Sequence, residues 1–281
     1  MEKILTIVRH KPGRFRFLLR ALHSVYNQTF KEVKVAIYCM GAEQDLSKDE
    51  YSYINAIQEK YNLSLIPFNQ DVSEIIKKSD CEYICFLDDD DTWAPEYLSR
   101  ISSTLTATRL KYPSINAIAC HSNKVVEVAE RNRIIINTTS PWNHYLAVGP
   151  LSFDVIHYKN SLPISSCFFV KNSIFNIINK HNFSSPSFFW PFLIDYLSQN
   201  DLWILPEPLA FYHFRESTDF KYGNFTEINR EECEIDYRLM INNMMRDSKN
   251  STLLNTLLSN LTNSNMVYKL SNIENKLNER K

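Results

Sequence analysis

The sequence predicts an α/β fold: a mainly parallel sheet flanked by helices, with a helical appendage at the C-terminal end. Three observations predict it. β-Branched apolar runs alternate with segments of helical spacing through the N-terminal third of the chain, the pattern of parallel strands joined by crossover helices. The run Tyr83 to Leu87 is apolar throughout, as a strand covered on both faces must be. From about Thr226 the sequence becomes charged, Asn-rich and helix-like.

The elements follow in order. Lys3 to Val8 alternate and read as a strand. Pro12-Gly13 break the chain, and Phe17, Leu18, Ala21, Leu22 and Val25 then recur at helical spacing over Arg14 to Tyr26. Val33 to Tyr38 form a second strand, Tyr51 to Tyr61 a helix, Leu63 to Pro67 a third strand, Val72 to Lys78 a short helix and Tyr83 to Leu87 a fourth strand. Pro95 opens a helix to Lys111, since a proline at the first turn forfeits no hydrogen bond. Ile115 to His121, Ile134 to Ile136 and Ser166 to Val170 read as strands, and Trp142 to Asp154 as a long loop near the site. Ser173 to Asn179 is helical, Phe188 to Leu197 is strongly apolar around Pro191, and Leu202 to Leu205 and Leu209 to Phe214 are two short strands. We divide the chain into a domain over residues 1–222 and a helical region over 223–281. In the latter, Leu254, Leu257, Leu261, Leu270, Ile273 and Leu277 are spaced for an apolar stripe. That stripe packs on the core, pairs two copies of the chain or lies on a membrane surface.

Composition removes several function classes. The chain has 281 residues, a formal net charge of -1 and 13% aromatic residues, so it is globular and carries no global field toward nucleic acid. The 4 glycines, Gly13, Gly41, Gly149 and Gly223, are far apart, which excludes the glycine-rich phosphate loops. The 6 cysteines form no CxxC pair and read as buried free thiols of a reducing compartment. No apolar run reaches the ~18 residues of a membrane span, and Met1 to Arg9 lacks the apolar core of a signal peptide. The expected location is the cytoplasm, free or peripheral at the inner face of the membrane.

Asp88-Asp89-Asp90-Asp91 directly follow the fourth strand, at the end where ligands of parallel sheets bind. Like charges so close repel unless a cation or hydrogen bonds offset them, and hard carboxylate oxygens suit magnesium or manganese. Asp88-x-Asp90-x-Thr92 also fits the DxDxT signature of haloacid-dehalogenase phosphatases. There, however, the motif sits on the first strand of its domain, whereas here three strand–helix units precede it.

Residues Glu82 to Leu98, with Phe86-Leu87-Asp88-Asp89-Asp90-Asp91-Thr92-Trp93-Ala94-Pro95 at their centre, resemble the DxD segment of family 2 glycosyltransferases of the GT-A fold. Leu5 to Arg9, followed by Arg20-Ala21-Leu22-His23-Ser24-Val25-Tyr26-Asn27-Gln28-Thr29, is similar to that family's first strand and helix, and Leu205 to Tyr212 to its closing strand. The likeness spans residues 3–217. It implies an inverting transfer of a sugar, in the hexosyltransferase class, from a UDP-, GDP- or dTDP-sugar to a glycan or lipid-linked acceptor. The implied setting is bacterial surface polysaccharide synthesis, and the implied cofactor Mn2+ or Mg2+. Mapped onto this chain, Asp90 is the metal ligand, with Asp88 beside it and His213 as a third ligand. Val8, Arg9, His10, Cys39, Asp88, Asp89 and Arg215 touch the donor.

Three positions depart from the family pattern. The second strand ends at Tyr38-Cys39-Met40-Gly41 with no carboxylate to read the base, Val72-Ser73-Glu74-Ile75 lacks the usual arginine, and Phe188-Phe189 stand where a Glu-Asp pair with the catalytic base is expected. The base candidates are therefore Asp195, the carboxylate within Ser184 to Asn200, and Asp154 in the long loop. The alternative function is a catalytically impaired GT-A-like protein that binds a nucleotide sugar or a partner.

Overall fold

A computed structural model of the protein describes residues 3–41, 45–61, 63–66, 70–130, 133–158, 160–215 and 222–246. Strands β1 (Ile4–His10), β2 (Val33–Cys39), β3 (Ser64–Ile66) and β4 (Tyr83–Asp88) alternate with helices α1 (Phe15–Tyr26), α2 (Lys48–Tyr61) and α3 (Val72–Lys78). After the acidic cluster come β5 (Thr92–Trp93), α4 (Tyr97–Lys111), β6 (Ile115–Ala129), β7 (Ile134–Pro141), β8 (Gly149–Pro150), α5 (Phe153–Tyr158) and a 3-10 turn at Ile164–Ser166. The domain closes with β9 (Cys167–Val170), α6 (Lys171–Ile178), α7 (Phe189–Leu197) and β10 (Asp201–Phe214), and α8 (Phe225–Ile228) and α9 (Arg230–Arg246) follow.

One sheet runs β3-β2-β1-β4-β9-β6-β10-β5, with β7 on β6 and β8 on β10. It is parallel from β3 through β4, and β6 and β10 are parallel to each other, but β9 lies antiparallel between the two halves. The alternating side chains of β1 and β4 build a core on each face. Leu5, Ile7, Ile84 and Phe86 join the layer with Phe169, Phe188 and Phe192, while Ile4, Val8, Tyr83 and Leu87 join the layer with Leu18, Tyr97 and Leu105.

Three segments differ from their sequence expectations. β6 continues eight residues past His121 to Ala129, because β-branched Val125, Val126 and Val128 sustain the strand beside β10. β10 is one strand rather than two; its register shifts around Pro208, where a missing N–H interrupts the ladder. The expected loop over Trp142 to Asp154 contains β8 and enters α5. α9 lies on α7 through a stack of Tyr237 on Trp190, with ring centroids 3.9 Å apart, and through Ser187 Oγ donating to Asp236 at 2.5 Å. The leucine stripe from Leu254 to Leu277 lies outside the described residues.

Candidate active site

Pairing of β1 with β4 sets Arg9 opposite Asp88, and the Arg9 guanidinium donates to Asp88 Oδ1 at 3.1 Å. Beyond the strand ends, Asp89 N–H donates to the Arg9 carbonyl, and Asp91 N–H turns back onto the Asp88 carbonyl. The next segment is pinned from three sides. Trp93 Nε1 donates to the Ser165 carbonyl at 2.6 Å, and Gln28 Nε2 donates to the Ala94 carbonyl at 2.7 Å. The Gln28 side-chain oxygen also accepts from Leu98 N–H at 2.9 Å. These contacts give a physical role to Gln28 and Trp93, both part of the family-like motifs.

Gly13, at φ 85 in the left-handed region that favours glycine, turns the chain from β1 into α1. Its N–H donates to both Glu50 carboxylate oxygens at 3.0 Å. Glu50 and Asp89 also clasp His10, Glu50 on Nε2 at 3.1 Å and Asp89 on Nδ1 at 2.9 Å. Burial opposes charge on that ring, but hydrogen bonds to the two carboxylates override it and raise the His10 pKa above its ordinary value.

Each aspartate therefore has its own partner. Asp88 pairs with Arg9, and Asp89 with His10 and the Lys11 N–H. Asp90 Oδ2 accepts from Arg14 and from Arg215, and the Asp90 carbonyl accepts from Arg20 at 2.8 Å. Asp91 accepts from Ser165 Oγ and from the His213 N–H. Beneath Asp90, fully buried Glu127 binds Arg20 at 2.7 Å, Arg215 at 2.5 Å and His213 Nδ1 at 2.9 Å. Arg14, Arg20 and Arg215 all lie over the Phe17 ring, Arg215 at 4.3 Å, a cation–π arrangement that further favours their convergence.

The electrostatics separate the carboxyls. Burial raises Asp90, but the adjacent Arg14 and Arg215 charges bring it below the usual carboxylate range. Burial likewise raises Glu127, yet its bonds to His213 and Arg20 carry it down to about 2. Burial, reinforced by the charges of Asp90 and Asp88, raises Asp91 well above its ordinary value. Asp88 is raised to about 6, chiefly by burial against the opposing pull of Arg9.

A cavity of ≈ 620 Å³ opens beside this network, of the size used for small-molecule sites. Arg9, Asp88 and Asp91 border it on the strand side. On the helix side the rings of Phe189, Trp190 and Tyr237 lie among the α8 and α9 charges Glu227, Arg230, Glu234 and Arg238, and Trp142 and Tyr212 also line it. A small cleft of ≈ 60 Å³ among Arg9, Arg14, Asp88, Asp89 and Asp90 shares the wall made by Arg9 and Asp88.

Of the residues expected at the site, Arg9, His10, Asp88, Asp89, Asp90, His213 and Arg215 come together. Buried Val8 packs in the core layer that also holds Cys39; the Cys39 thiol is pushed up to about 12 by burial and stays protonated. Asp195 is placed elsewhere. It borders a second pocket, which shares Ser187 and Pro191 with the cavity, and is ion-paired to Lys180 and His181 at 3.4 Å. Asp154 is in α5, and its side chain lies outside the described residues. Glu127, Glu50, Arg14 and Arg20 join this network without having been among the expected residues.

The implied divalent cation does not fit the donors as they stand. Asp90 Oδ2 holds two guanidinium groups, and both nitrogens of His213 are engaged, Nδ1 by Glu127 and Nε2 by Thr92. Among the described residues no group of three or more His, Cys, Asp or Glu side chains is arranged to hold a metal ion.

No curated protein matches the chain in sequence. In structure it is similar to S. aureus TarS 1-349 in complex with UDP-GlcNAc, with a TM-score of 0.64 and 15% identity over 93% of this chain and 72% of that one. Against the longer S. aureus TarS structure the TM-score is 0.57 and the identity 13%, and the chain spans 43% of that protein's length. The mannosyltransferase PcManGT from Pyrobaculum calidifontis, in complex with GDP-Man and Mn2+, matches with a TM-score of 0.55 and 12% identity over 88% of this chain and 65% of that one. Likeness at this level establishes a shared GT-A fold. The sequence model of glycosyl transferase family 2 matches residues 13–175, more than half of the chain, and by that match the protein belongs to glycosyltransferase family 2.

Proposed function

We propose that the protein transfers a hexosyl group from a nucleoside-diphosphate sugar to a saccharide or lipid-linked saccharide acceptor, with inversion at the anomeric carbon. The observation that carries this reading is the cavity beside the acidic network, with Arg9 and Asp88 on its strand wall and the rings of Trp190 and Tyr237, among the α9 charges, on its helix wall. A diphosphate suits the first wall, since guanidinium groups recognise phosphate oxygens; sugar faces suit the second. The UDP-GlcNAc and GDP-Man complexes of the structural neighbours support this donor class. Family likeness alone supports a role in surface-polysaccharide synthesis.

In the transfer, an acceptor hydroxyl oxygen attacks the anomeric carbon as the bond from that carbon to the diphosphate oxygen breaks. The bonding pair leaves with the nucleoside diphosphate, and the hydroxyl proton passes to a carboxylate. Asp88, paired with Arg9 on the diphosphate side, cannot meet a hydroxyl that attacks from the opposite face, so we assign it to the donor and give the proton to one of the other carboxylates that line the cavity, Glu227 or Glu234.

The test is nucleoside diphosphate release from a panel of UDP-, GDP- and dTDP-sugars, with and without glycan acceptors, for the wild type, Glu227→Gln and Glu234→Gln. Release by the wild type, reduced ~100-fold or more in one of the variants, is expected of a lost general base. No release and no nucleotide binding would refute the reading. Phe188 and Phe189 in place of the Glu-Asp pair favour a second reading, a binding protein without turnover. That reading predicts donor binding with no release from any donor.

A further inference from the structure

We infer that the acidic cluster carries no resident divalent cation. Arg14 and Arg215 stand at the family's metal-ligand position, and guanidinium groups supply the positive charge that a donor diphosphate meets. The part of this inference that concerns the diphosphate rests on the transferase reading; the part that concerns the cation does not.

Three independent observations carry it. Three of the four aspartates and Glu127 already have a cationic or histidine partner: Asp88 has Arg9, Asp89 has His10, Asp90 has Arg14 and Arg215, and Glu127 has Arg20 and Arg215, while Asp91 is held by Ser165 Oγ and the His213 N–H. Most of the repulsion among the aspartates, which argued for a metal, is thus offset from within the chain. A dication at Asp90 would have to displace two guanidinium groups and then lie beside them, at unfavourable Coulomb cost in a buried site.

The balance of unsatisfied atoms points the same way. Nε of Arg9, Arg14 and Arg20 is buried without an acceptor, and no carboxylate oxygen of the described residues is buried without a donor. A site with surplus N–H groups suits an anion rather than a cation.

The guanidinium cluster is also built rather than incidental. Arg14 and Arg20 come from α1, Arg215 follows β10, and all three meet over Phe17, itself 3% exposed. A metal-dependent site would place these cations where they oppose the ion.

The experiment has two arms on the full chain. In the first, Mn2+ is titrated into the protein and free Mn2+ is read by electron paramagnetic resonance, for the wild type, Asp90→Asn and Arg215→Gln. The inference expects no wild-type binding at micromolar Mn2+, and ~10-fold or stronger binding in Arg215→Gln, where Asp90 loses a competing cation. Stoichiometric wild-type binding that Asp90→Asn abolishes would overturn it. If Arg215→Gln does not fold, the wild-type titration still decides. In the second arm, UDP and GDP binding is measured by calorimetry in EDTA and in millimolar Mn2+. Affinities within ~3-fold of each other support the inference, and binding that requires Mn2+ overturns it. Failure of both nucleotides under both conditions would refute the transferase reading, and the Mn2+ titration would then decide the inference by itself.

Discussion

The two walls of the cavity are built on opposite principles. One is the edge of a lattice of charge from β1, β4, α1, β6 and β10, in which Asp88, Asp89, Asp90 and Glu127 each meet a cationic or histidine partner and Asp91 is held by hydroxyl and backbone donors; Arg9, Asp88 and Asp91 are the members that reach the cavity. The other is built of ring stacks, Trp190 on Tyr237 from α7 and α9 and Trp142 on Tyr212, set among charges of α8 and α9. The charged wall is held together by long-range contacts, such as Arg215 of the C-terminal half with Asp90, so altering it threatens the fold. The aromatic wall presents surface to the cavity, so altering it should change what binds while the fold stays.

The largest effect should come from Glu127→Gln. It leaves Arg20 without its carboxylate and Arg215 with Asp90 alone, which costs ~3–5 kcal/mol by the usual penalty for breaking a buried pair. Denaturant unfolding measures this, and a loss below ~1 kcal/mol would detach Glu127 from the network.

The same residue gives an acid signature. Its pKa falls from 4.5 to about 2 on folding, so its stabilisation is fully present above pH 4.5 and is lost as pH drops through the folded value near 2. Asp88 runs the other way. Raised from 3.8 to about 6, it favours the fold below pH 3.8, and that contribution is lost as pH rises through 6. The gap between the wild-type and Glu127→Gln stabilities, followed across pH 2 to 7, should therefore be constant above pH 4.5 and close as pH falls from 4.5 toward 2. A gap unchanged down to pH 2 would sink this assignment.

On the aromatic wall, Trp190→Ala should weaken acceptor use ~10-fold or more while leaving nucleoside diphosphate affinity within ~3-fold, since base and sugar stacking are separable contributions. Equal loss of both would erase the distinction between the walls. The smallest effect is expected at Asp195→Asn. Asp195 pairs with Lys180 and His181 beside the second pocket and is 27% exposed, so transfer should stay within ~2-fold of the wild type and stability should change by ~0–1 kcal/mol. A ~100-fold loss of transfer would restore it as the base.

Much of the fold was legible. α3 spans Val72 to Lys78 as its apolar spacing predicts, and β1, β2 and β4 lie within a residue or two of their expected bounds, because local pattern and tertiary burial agree there. The position of the acidic cluster at the carboxyl end of β4 was legible for the same reason. The partners were not. Nothing local links Arg215 to Asp90 or Glu127 to His213; strand register brings them together, and β6 had to be followed past His121 to find Glu127. The run Val125-Val126-Glu127-Val128 was the available signal. Asp195 lines a second pocket that shares Ser187 and Pro191 with the cavity, and at 3.6 residues per turn it sits roughly 40° around α7 from Pro191, so counting carboxylates led to a neighbour of the cavity rather than to one of its lining residues. Phe188, where the family resemblance implies a carboxylate, packs against Phe183, and its ring centroid lies 5.3 Å from the Arg9 guanidinium.

The sign of one stability change tests the central claim, that this acidic cluster is neutralised from within, most directly. In a metal site awaiting its ion, removing a carboxylate charge relieves repulsion, so Asp90→Asn would unfold at or above the wild-type temperature, and Mn2+ would stabilise the wild type alone. In the network described above, Asp90→Asn strips the shared counter-ion from Arg14 and Arg215. It should lower the unfolding temperature by several degrees, at ~2–4 °C per kcal/mol for a domain of this size, with no response to Mn2+ in either protein. Thermal unfolding of the two proteins with and without Mn2+ yields this sign. A destabilised, manganese-indifferent variant agrees with the account, and a stabilised variant beside a manganese-responsive wild type contradicts it.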